Sequence, residues 1–239
     1  LVKEPFDFLI TASYGKYLPE QVLRLAKKDN LNIHPSLLPR YRGATPVPSA
    51  ILNGDTETGV SIIQMTKEMD SGPVFAQEIF PIPDDIRLPE LIDQLFRLGA
   101  KMLSKVLNNY KTIEPIPQND SLATRCGLIT KQDGVAHFHS KSAPQLYNEL
   151  RAYTPWPGVY NKYHGKILRF LDFYPVPNLK GKIPHSPGTV FQDEKNILIE
   201  CKEGALRLTM VQQEGKPPTT PQSFLNGHPD FKNFAFPKA

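Results

Sequence analysis

The sequence is poor in cysteine and tryptophan, and it lacks several motifs that would fix a class at once. Among 239 residues there are two cysteines, Cys126 and Cys201, and one tryptophan. Two thiols make neither a disulfide framework nor a thiolate cluster, so free thiols in a reducing compartment are expected. No apolar run approaches the roughly 18 residues of a membrane span, and neither a P-loop nor a Rossmann glycine fingerprint occurs. The sequence therefore predicts no membrane role and no ATP or NAD.

Apolar residues are plentiful and charge is unevenly distributed. Hydrophobic residues make up 40% of the chain, including 13 Phe and 9 Tyr, which suffices for one large or two modest cores. The formal net charge of +4 divides into −1 for residues 1–127 and +5 for residues 128–239. A basic second half suits a phosphate-rich partner, but an ordinary solvated surface explains the same charge.

The most informative stretch contains Asn32 and His34, two residues apart behind apolar neighbours. In an extended strand their side chains leave on the same face, so an amide and an imidazole would lie side by side. The prolines that follow predict a rigid loop directly after the pair. Asp70 lies in a later Asp-Ser-Gly turn. Each residue alone also has a purely structural explanation, as a hydrogen-bonding His or as turn chemistry.

Alternating periodicities in the first half predict an α/β layer, with the pair at the carboxyl edge of its sheet. The expected strands are 6–12, one ending at His34, 59–65 and 74–80, and the expected helices are 19–28, 44–53 and 91–107. Residues 112–126 are rich in turn formers. The predicted boundaries are 1–118 for a catalytic domain, 119–127 for a linker and 128–239 for a second domain.

The second half carries one helical pattern, at 143–153, followed by short strands punctuated by Gly and Pro. The expected strands are 159–164, 166–174, 188–192, 196–201 and 204–211. Strands of this length and spacing indicate a small barrel or sandwich.

Two motifs together resemble one enzyme family. The string Asn-x-His-x-Ser-Leu-Leu-Pro at 32–39, followed by Asp-x-Gly at 70–72, resembles the 10-formyltetrahydrofolate-dependent formyltransferases. The longer match, through 40–46, 54–60, 64–65 and 151–158, is similar to the branch that formylates methionyl-tRNA. The resemblance implies a Rossmann-like formyltransferase domain followed by an OB-like β-barrel that binds tRNA. It also implies that the catalytic domain is N-terminally incomplete, because that family's sheet begins with further βα units.

The resemblance assigns roles to named residues. Asn32, His34 and Asp70 would be catalytic. Asn32 would donate to the oxyanion, and His34 would exchange protons and donate to the same oxygen when protonated. Asp70 would orient the imidazole and favour its protonated form, or accept the amine proton through water. The expected folate-binding residues are Ser36, Leu37, Leu38, Pro39, Tyr14 and Gly15. Basic residue types, rather than the resemblance, suggest tRNA-binding residues: Arg40, Arg42, Lys162, Lys166 and Arg169, with Lys180 and Lys182 on the same strip. Two simpler explanations stay open, since the two arginines could equally cover the loop and the strip could be an ordinary solvated barrel face.

The implied activity is transfer of formyl from 10-formyltetrahydrofolate to initiator methionyl-tRNA, by a monomer that needs no metal. Formyl transfer to a small-molecule amine, hydrolysis of the formylfolate and a non-catalytic RNA-binding module remain alternatives. The His34-Pro35-Ser36 string is more similar to organellar versions, so the mitochondrial matrix is the expected location and the bacterial cytoplasm the alternative.

Overall fold

A computed structural model describes residues 6–14, 18–176 and 185–238. The chain divides into two compact units, Leu1–Leu128 and Ile129–Ala239. The first combines helices with a mixed sheet, and the second is built on an antiparallel sheet. The predicted order of an α/β unit followed by a β-rich unit is therefore confirmed.

The first unit contains a four-stranded sheet in the order β1-β2-β4-β5. The elements of this unit are β1 (Phe6–Ala12), α1 (Glu20–Leu23), β2 (Ala26–His34), β3 (Arg42–Gly43), α2 (Pro46–Leu52), β4 (Glu57–Gln64), β5 (Val74–Pro81), α3 (Leu88–Asn108) and β6 (Arg125–Cys126). Strands β1 and β2 are parallel, as expected, and the pairs β2–β4 and β4–β5 are antiparallel. The parallel register pairs Thr11 with Asn32, so both strands deliver side chains to one edge of the sheet.

Helix α3 covers the sheet with an apolar stripe. Its buried residues recur every three or four positions, at Leu91, Leu95, Gly99, Met102 and Val106. Gly99 permits the closest approach, because a Cβ there would lie 2.4 Å from Cγ2 of Ile33 on β2. The helix thus packs directly beneath the strand that carries Asn32 and His34.

Two expectations for the first unit differ from the structure. The helix expected over 19–28 ends at Leu23, because β2 begins at Ala26, which pairs with Phe6 of β1. The expected linker 119–127 contains a 3-10 helix at Asp120–Leu122 and strand β6, which pairs in parallel with β3. These residues lie within the first unit because the backbone of β3 offers them a hydrogen-bonding partner.

The second unit carries a five-stranded antiparallel sheet in the order β7-β8-β11-β10-β9. Its elements are α4 (Ala143–Tyr153), β7 (Val159–Tyr163), β8 (Lys166–Val176), β9 (Val190–Asp193), β10 (Asn196–Glu200), β11 (Ala205–Gln213) and α5 (Pro221–Gly227). Aromatic side chains dominate the core, with Phe138, Phe170 and Phe236 packed ring to ring. The five predicted strands and helix 143–153 are found, whereas α5 was not predicted.

Candidate active site

A cleft of about 440 Å³ opens at the carboxyl ends of β1 and β2. Thr11 of β1, together with Asn32 and His34 of β2, lines one side of it. The loop after β4, residues 65–70, lines the other side and ends at Asp70. The three residues predicted to be catalytic therefore lie around one cleft, although they come from separate parts of the sequence.

Asn32 is held by its neighbour across the parallel ladder. The Thr11 hydroxyl donates a hydrogen bond of 2.8 Å to Oδ1 of Asn32. This contact commits the amide oxygen and fixes which way the amide faces. In the described part of the chain, Nδ2 has no hydrogen-bond partner. The amide can therefore donate to a ligand in the cleft.

His34 is buried, with 4% of its side chain exposed. Its Nε2 donates to the carbonyl of Tyr41 at 3.0 Å, which leaves Nδ1 as the nitrogen for proton exchange. Nδ1 lies 3.5 Å from Oδ1 of Asp70. Burial lowers the pKa of His34, and the Asp70 charge and the Tyr41 carbonyl oppose that shift without reversing it. The imidazole is therefore neutral at neutral pH, rather than held as the imidazolium that the Asp70 contact alone would favour.

Asp70 is fixed through its other carboxylate oxygen. Oδ2 accepts a hydrogen bond of 2.8 Å from the backbone N–H of Gly43, while Oδ1 faces His34. Gly43 has φ of 121°, and a Cβ there would lie 2.2 Å from the carbonyl oxygen of Cys126. Only glycine fits this position, so the short ladder between β3 and β6 sets the donor that holds the Asp70 carboxylate.

The residues expected to bind folate lie mostly behind the cleft. Ser36, Leu37, Leu38 and Pro39 are not among the cleft-lining residues, and Ser36 and Leu38 are buried. Ser36 donates through Oγ to the Arg40 carbonyl at 2.7 Å, and its own carbonyl accepts from Ser61 at 2.7 Å. These hydrogen bonds tie Ser36 to the loop and to β4, and folate binding by residues 36–39 stays a prediction.

Of the two residues expected on the facing wall, only Tyr14 can be located. Tyr14 lines the cleft and is exposed, whereas Gly15 lies outside the described residues. Met65, Thr66 and Lys67 also line the cleft and were not predicted. Lys67 brings a positive charge to a cleft whose other wall holds the neutral His34.

The two arginines expected to contact tRNA have protein partners. Arg42 is 4% exposed and donates to Oε1 of Gln118 and to Asp120, which removes it from the expected tRNA surface. Arg40 remains half exposed, but Asp55 accepts from its guanidinium at 2.8 Å. The sequence leaves open whether these arginines contact RNA or cover the loop, because it gives no measure of such pairing.

The three basic residues expected on the second unit lie on the β7–β8 hairpin, and all are exposed. Lys162 pairs with Ile167, and Arg169 pairs with Tyr160, so Lys162 and Arg169 lie on the face opposite the buried core. Lys166 lies across from the buried Tyr163, at the hairpin turn. Lys180 and Lys182 fall outside the described residues.

Among the described residues, no cluster of three or more His, Cys, Asp and Glu side chains is placed to bind a metal. No described helix has the length and apolar character that crossing a membrane requires.

Thr11 is a functional candidate that sequence reasoning missed. Thr11 is the register partner of Asn32, so a parallel pairing of the first two strands would have predicted its place beside Asn32. Gln118, which contacts both Arg42 and the Asp70 turn, had no such signal because it lies 48 residues beyond Asp70 in a stretch without periodicity.

Comparisons with known proteins identify the family. Residues 2–107 match the formyl transferase family, and residues 128–229 match the formyl transferase C-terminal domain. The methionyl-tRNA formyltransferase of Caldanaerobacter subterraneus subsp. tengcongensis is 38% identical over 225 residues, which are 93% of this chain and 71% of that protein. The methionyl-tRNA formyltransferase of Herpetosiphon aurantiacus is 39% identical over 227 residues, 93% of this chain and 72% of that protein.

Solved structures show the same fold at lower identity. HypX from Aquifex aeolicus in complex with tetrahydrofolic acid has a TM-score of 0.66 at 22% identity; the match covers 94% of this chain but 39% of HypX. The N-formyltransferase from Helicobacter canadensis, in complex with folinic acid and dTDP-3-aminofucose, has a TM-score of 0.62 at 19% identity and covers 80% of this chain and 69% of that one. The identities of the two bacterial enzymes, over most of their length and of this chain, show that the chain belongs to the methionyl-tRNA formyltransferase family.

Proposed function

We propose that this protein transfers the formyl group of 10-formyltetrahydrofolate to the amino group of initiator methionyl-tRNA. The observation that carries the proposal is the convergence of Asn32, His34 and Asp70 on one cleft, in a chain of this family. The cleft volume of about 440 Å³ lies within the range of small-molecule sites. Nδ2 of Asn32, which has no hydrogen-bond partner among the described residues, fits a ligand that brings a hydrogen-bond acceptor.

Asn32 is proposed to stabilise the charge that develops on the formyl oxygen. When the amine nitrogen attacks the formyl carbon, the carbonyl π electrons move to oxygen, and Nδ2 donates to that oxyanion. A neutral amide cannot lose this donor through titration, and Thr11 holds it before the reaction begins. Fixed donors of this kind act without reorganisation, which is the basis of their large effect.

His34 is proposed to move the proton. The attacking amine must lose a proton, and N10 of the folate must gain one as its bond to the formyl carbon breaks. Nδ1 of the neutral imidazole accepts the first proton, and the resulting imidazolium is stabilised by Asp70. The same Nδ1 then supplies the proton to N10, so the products are formylated aminoacyl-tRNA and tetrahydrofolate.

The second unit is proposed to contact the tRNA backbone through Lys162 and Arg169, which share an exposed face. The relatives named above are bacterial, which supports the bacterial cytoplasm over the mitochondrial matrix as the setting. We expect the protein to act as a monomer, which sedimentation at working concentration would test.

The experiment supplies 10-formyltetrahydrofolate to the purified protein with charged initiator tRNA, with a small amine or with no acceptor. Formylated methionyl-tRNA is the expected product. Asn32→Ala should lower turnover by about 100- to 1000-fold, because one oxyanion donor typically contributes about 2.7–4 kcal/mol to the barrier. Asn109→Ala, the same change at the end of α3 outside the cleft, should leave turnover unchanged.

Each alternative has its own outcome. Release of tetrahydrofolate without formylated tRNA would favour hydrolysis, and formylation of the small amine alone would favour the small-molecule acceptor. Salt-sensitive tRNA binding without folate binding would indicate an RNA-binding module. Near-normal turnover of Asn32→Ala would reject the role given to that amide.

A further inference from the structure

Gln118 links a buried arginine to the turn that carries Asp70. Its Nε2 donates to two backbone carbonyls of that turn, those of Asp70 and Gly72, each at 2.8 Å. Its Oε1 accepts from the Arg42 guanidinium at 3.0 and 2.7 Å. The whole amide is thus engaged, with both donors on the turn and its acceptor on Arg42.

The turn held by Gln118 needs external support. Asp70 has φ of 54°, in the left-handed region that side chains other than glycine seldom adopt. Gly72 approaches β4 so closely that a Cβ would lie 1.9 Å from the Gln64 carbonyl oxygen. A backbone in this conformation persists where its surroundings fix it, and Gln118 bonds to the carbonyl on each side of Ser71.

The Arg42 side of the contact is fixed independently. The Arg42 side chain is 4% exposed, and its backbone N–H donates to the Thr124 carbonyl at 2.9 Å. The next residue, Gly43, donates its backbone N–H to the Asp70 carboxylate. Residues 42 and 43 therefore reach Asp70 by two routes, one through Gln118 to its backbone and one directly to its carboxylate.

We propose that Gln118 is a positioning residue for the transfer reaction: it sets the Asp70 carboxylate against His34, and the buried Arg42 fixes the orientation of the Gln118 amide. This inference rests on the proposed function. Gln118 lines no part of the described cleft, so it acts on the reaction through Asp70.

The test is a double-mutant cycle between Gln118→Met and Asp70→Asn, measured by single-turnover formyl transfer. Met keeps the length of the side chain but removes both donors. Gln118→Met should lower the rate by about 10- to 100-fold, since a displacement of about 1 Å at a reacting group has effects of this size. KM for the formyl donor should stay within about twofold. In the Asp70→Asn background, Gln118→Met should cause no further loss.

Controls separate positioning from damage to the fold. Asp120→Asn removes the charge from the other side-chain partner of Arg42, an exposed group that does not touch Asp70, and should change the rate less than about twofold. Gln118→Glu keeps an acceptor for Arg42 and loses the donors, so it should be slow even if Gln118→Met folds poorly. An equal loss from Gln118→Met in both backgrounds, or a normal rate for Gln118→Glu, would overturn the proposal.

One readout does not depend on the reaction. Asp70 opposes the lowering of the His34 pKa by burial, so displacing its carboxylate should lower that pKa further. NMR of the imidazole should show a downward shift in Gln118→Met, in the direction given by Asp70→Asn. An unshifted pKa would refute the positioning role, whereas a shift in a protein without formyl-transfer activity would refute only the proposed function.

Discussion

The hydrogen bond from Thr11 to Asn32 gives the most direct test of how this cleft is organised. Thr11→Val keeps the shape of the side chain and removes the hydroxyl that donates to Oδ1 of Asn32 at 2.8 Å. A hydrogen bond of this kind contributes about 0.5–1.5 kcal/mol net. If that free energy serves to orient the amide, the rate of formyl transfer should fall by about 2- to 13-fold. Direct removal of the donor by Asn32→Ala is expected to have a much larger effect.

A second background separates orientation from other roles of Thr11. With Ala at position 32 there is no amide to orient, so adding Thr11→Val to Asn32→Ala should change the single-turnover rate by less than about twofold. Thr11 also lines the cleft and could contact a ligand itself. If Thr11→Val lowers the rate equally in both backgrounds, Thr11 contacts the ligand itself, and the account of Asn32 as an amide held by Thr11 would be wrong.

The other predictions concern stability. Gly99→Ala should lower the free energy of unfolding of the first unit by about 1–3 kcal/mol in urea, because the new Cβ would lie 2.4 Å from Cγ2 of Ile33. The same substitution should cost less in an Ile33→Ala background, where that clash is removed. Lys141→Met should lower the free energy of unfolding by about 3 kcal/mol, because it leaves the buried Glu149, 6% exposed, without its ammonium partner. An unchanged unfolding midpoint would contradict this. Burial holds the folded-state pKa of His34 below its ordinary value of 6.5, so the unfolded state binds the proton first. Unfolding free energy should therefore fall as pH drops below about 6.5, and less so in His34→Gln.

Much of the fold could be predicted from periodicity. The apolar stripe of α3 and the strands of the second unit are long or regular enough for the hydrophobic pattern to predict them. The observed bounds differ from the expected ones by a few residues. Helix α1 was overestimated because the Ala26–Lys28 stretch has no pattern that opposes a helix. Pairing with β1 decides its conformation, and that pairing is a property of the assembled sheet.

The candidate site was predicted in part. Asn32 and His34 could be placed on one face because they lie two residues apart in one strand. Asp70 needed the family resemblance, since nothing local brings a later turn to that strand. The assignment of Ser36 to folate binding comes from its place in the motif and stays a prediction, whereas the structure shows its hydroxyl donating to the Arg40 carbonyl. Motif membership indicates that a residue matters, and only packing determines which way it faces.

The last residues of the first unit, 119–127, matter to the site through the backbone groups to which they bond. Backbone groups of Tyr41, Arg42 and Gly43 lie beside the cleft, where unpaired N–H and C=O groups would be costly. Thr124 accepts from Arg42 and bonds through its hydroxyl to the Tyr41 N–H, which leaves the Tyr41 carbonyl to His34 and the Gly43 N–H to Asp70. Residues expected to form a linker therefore determine which backbone groups remain available to the imidazole and the carboxylate. A change in this segment should alter the site without touching any residue that lines it.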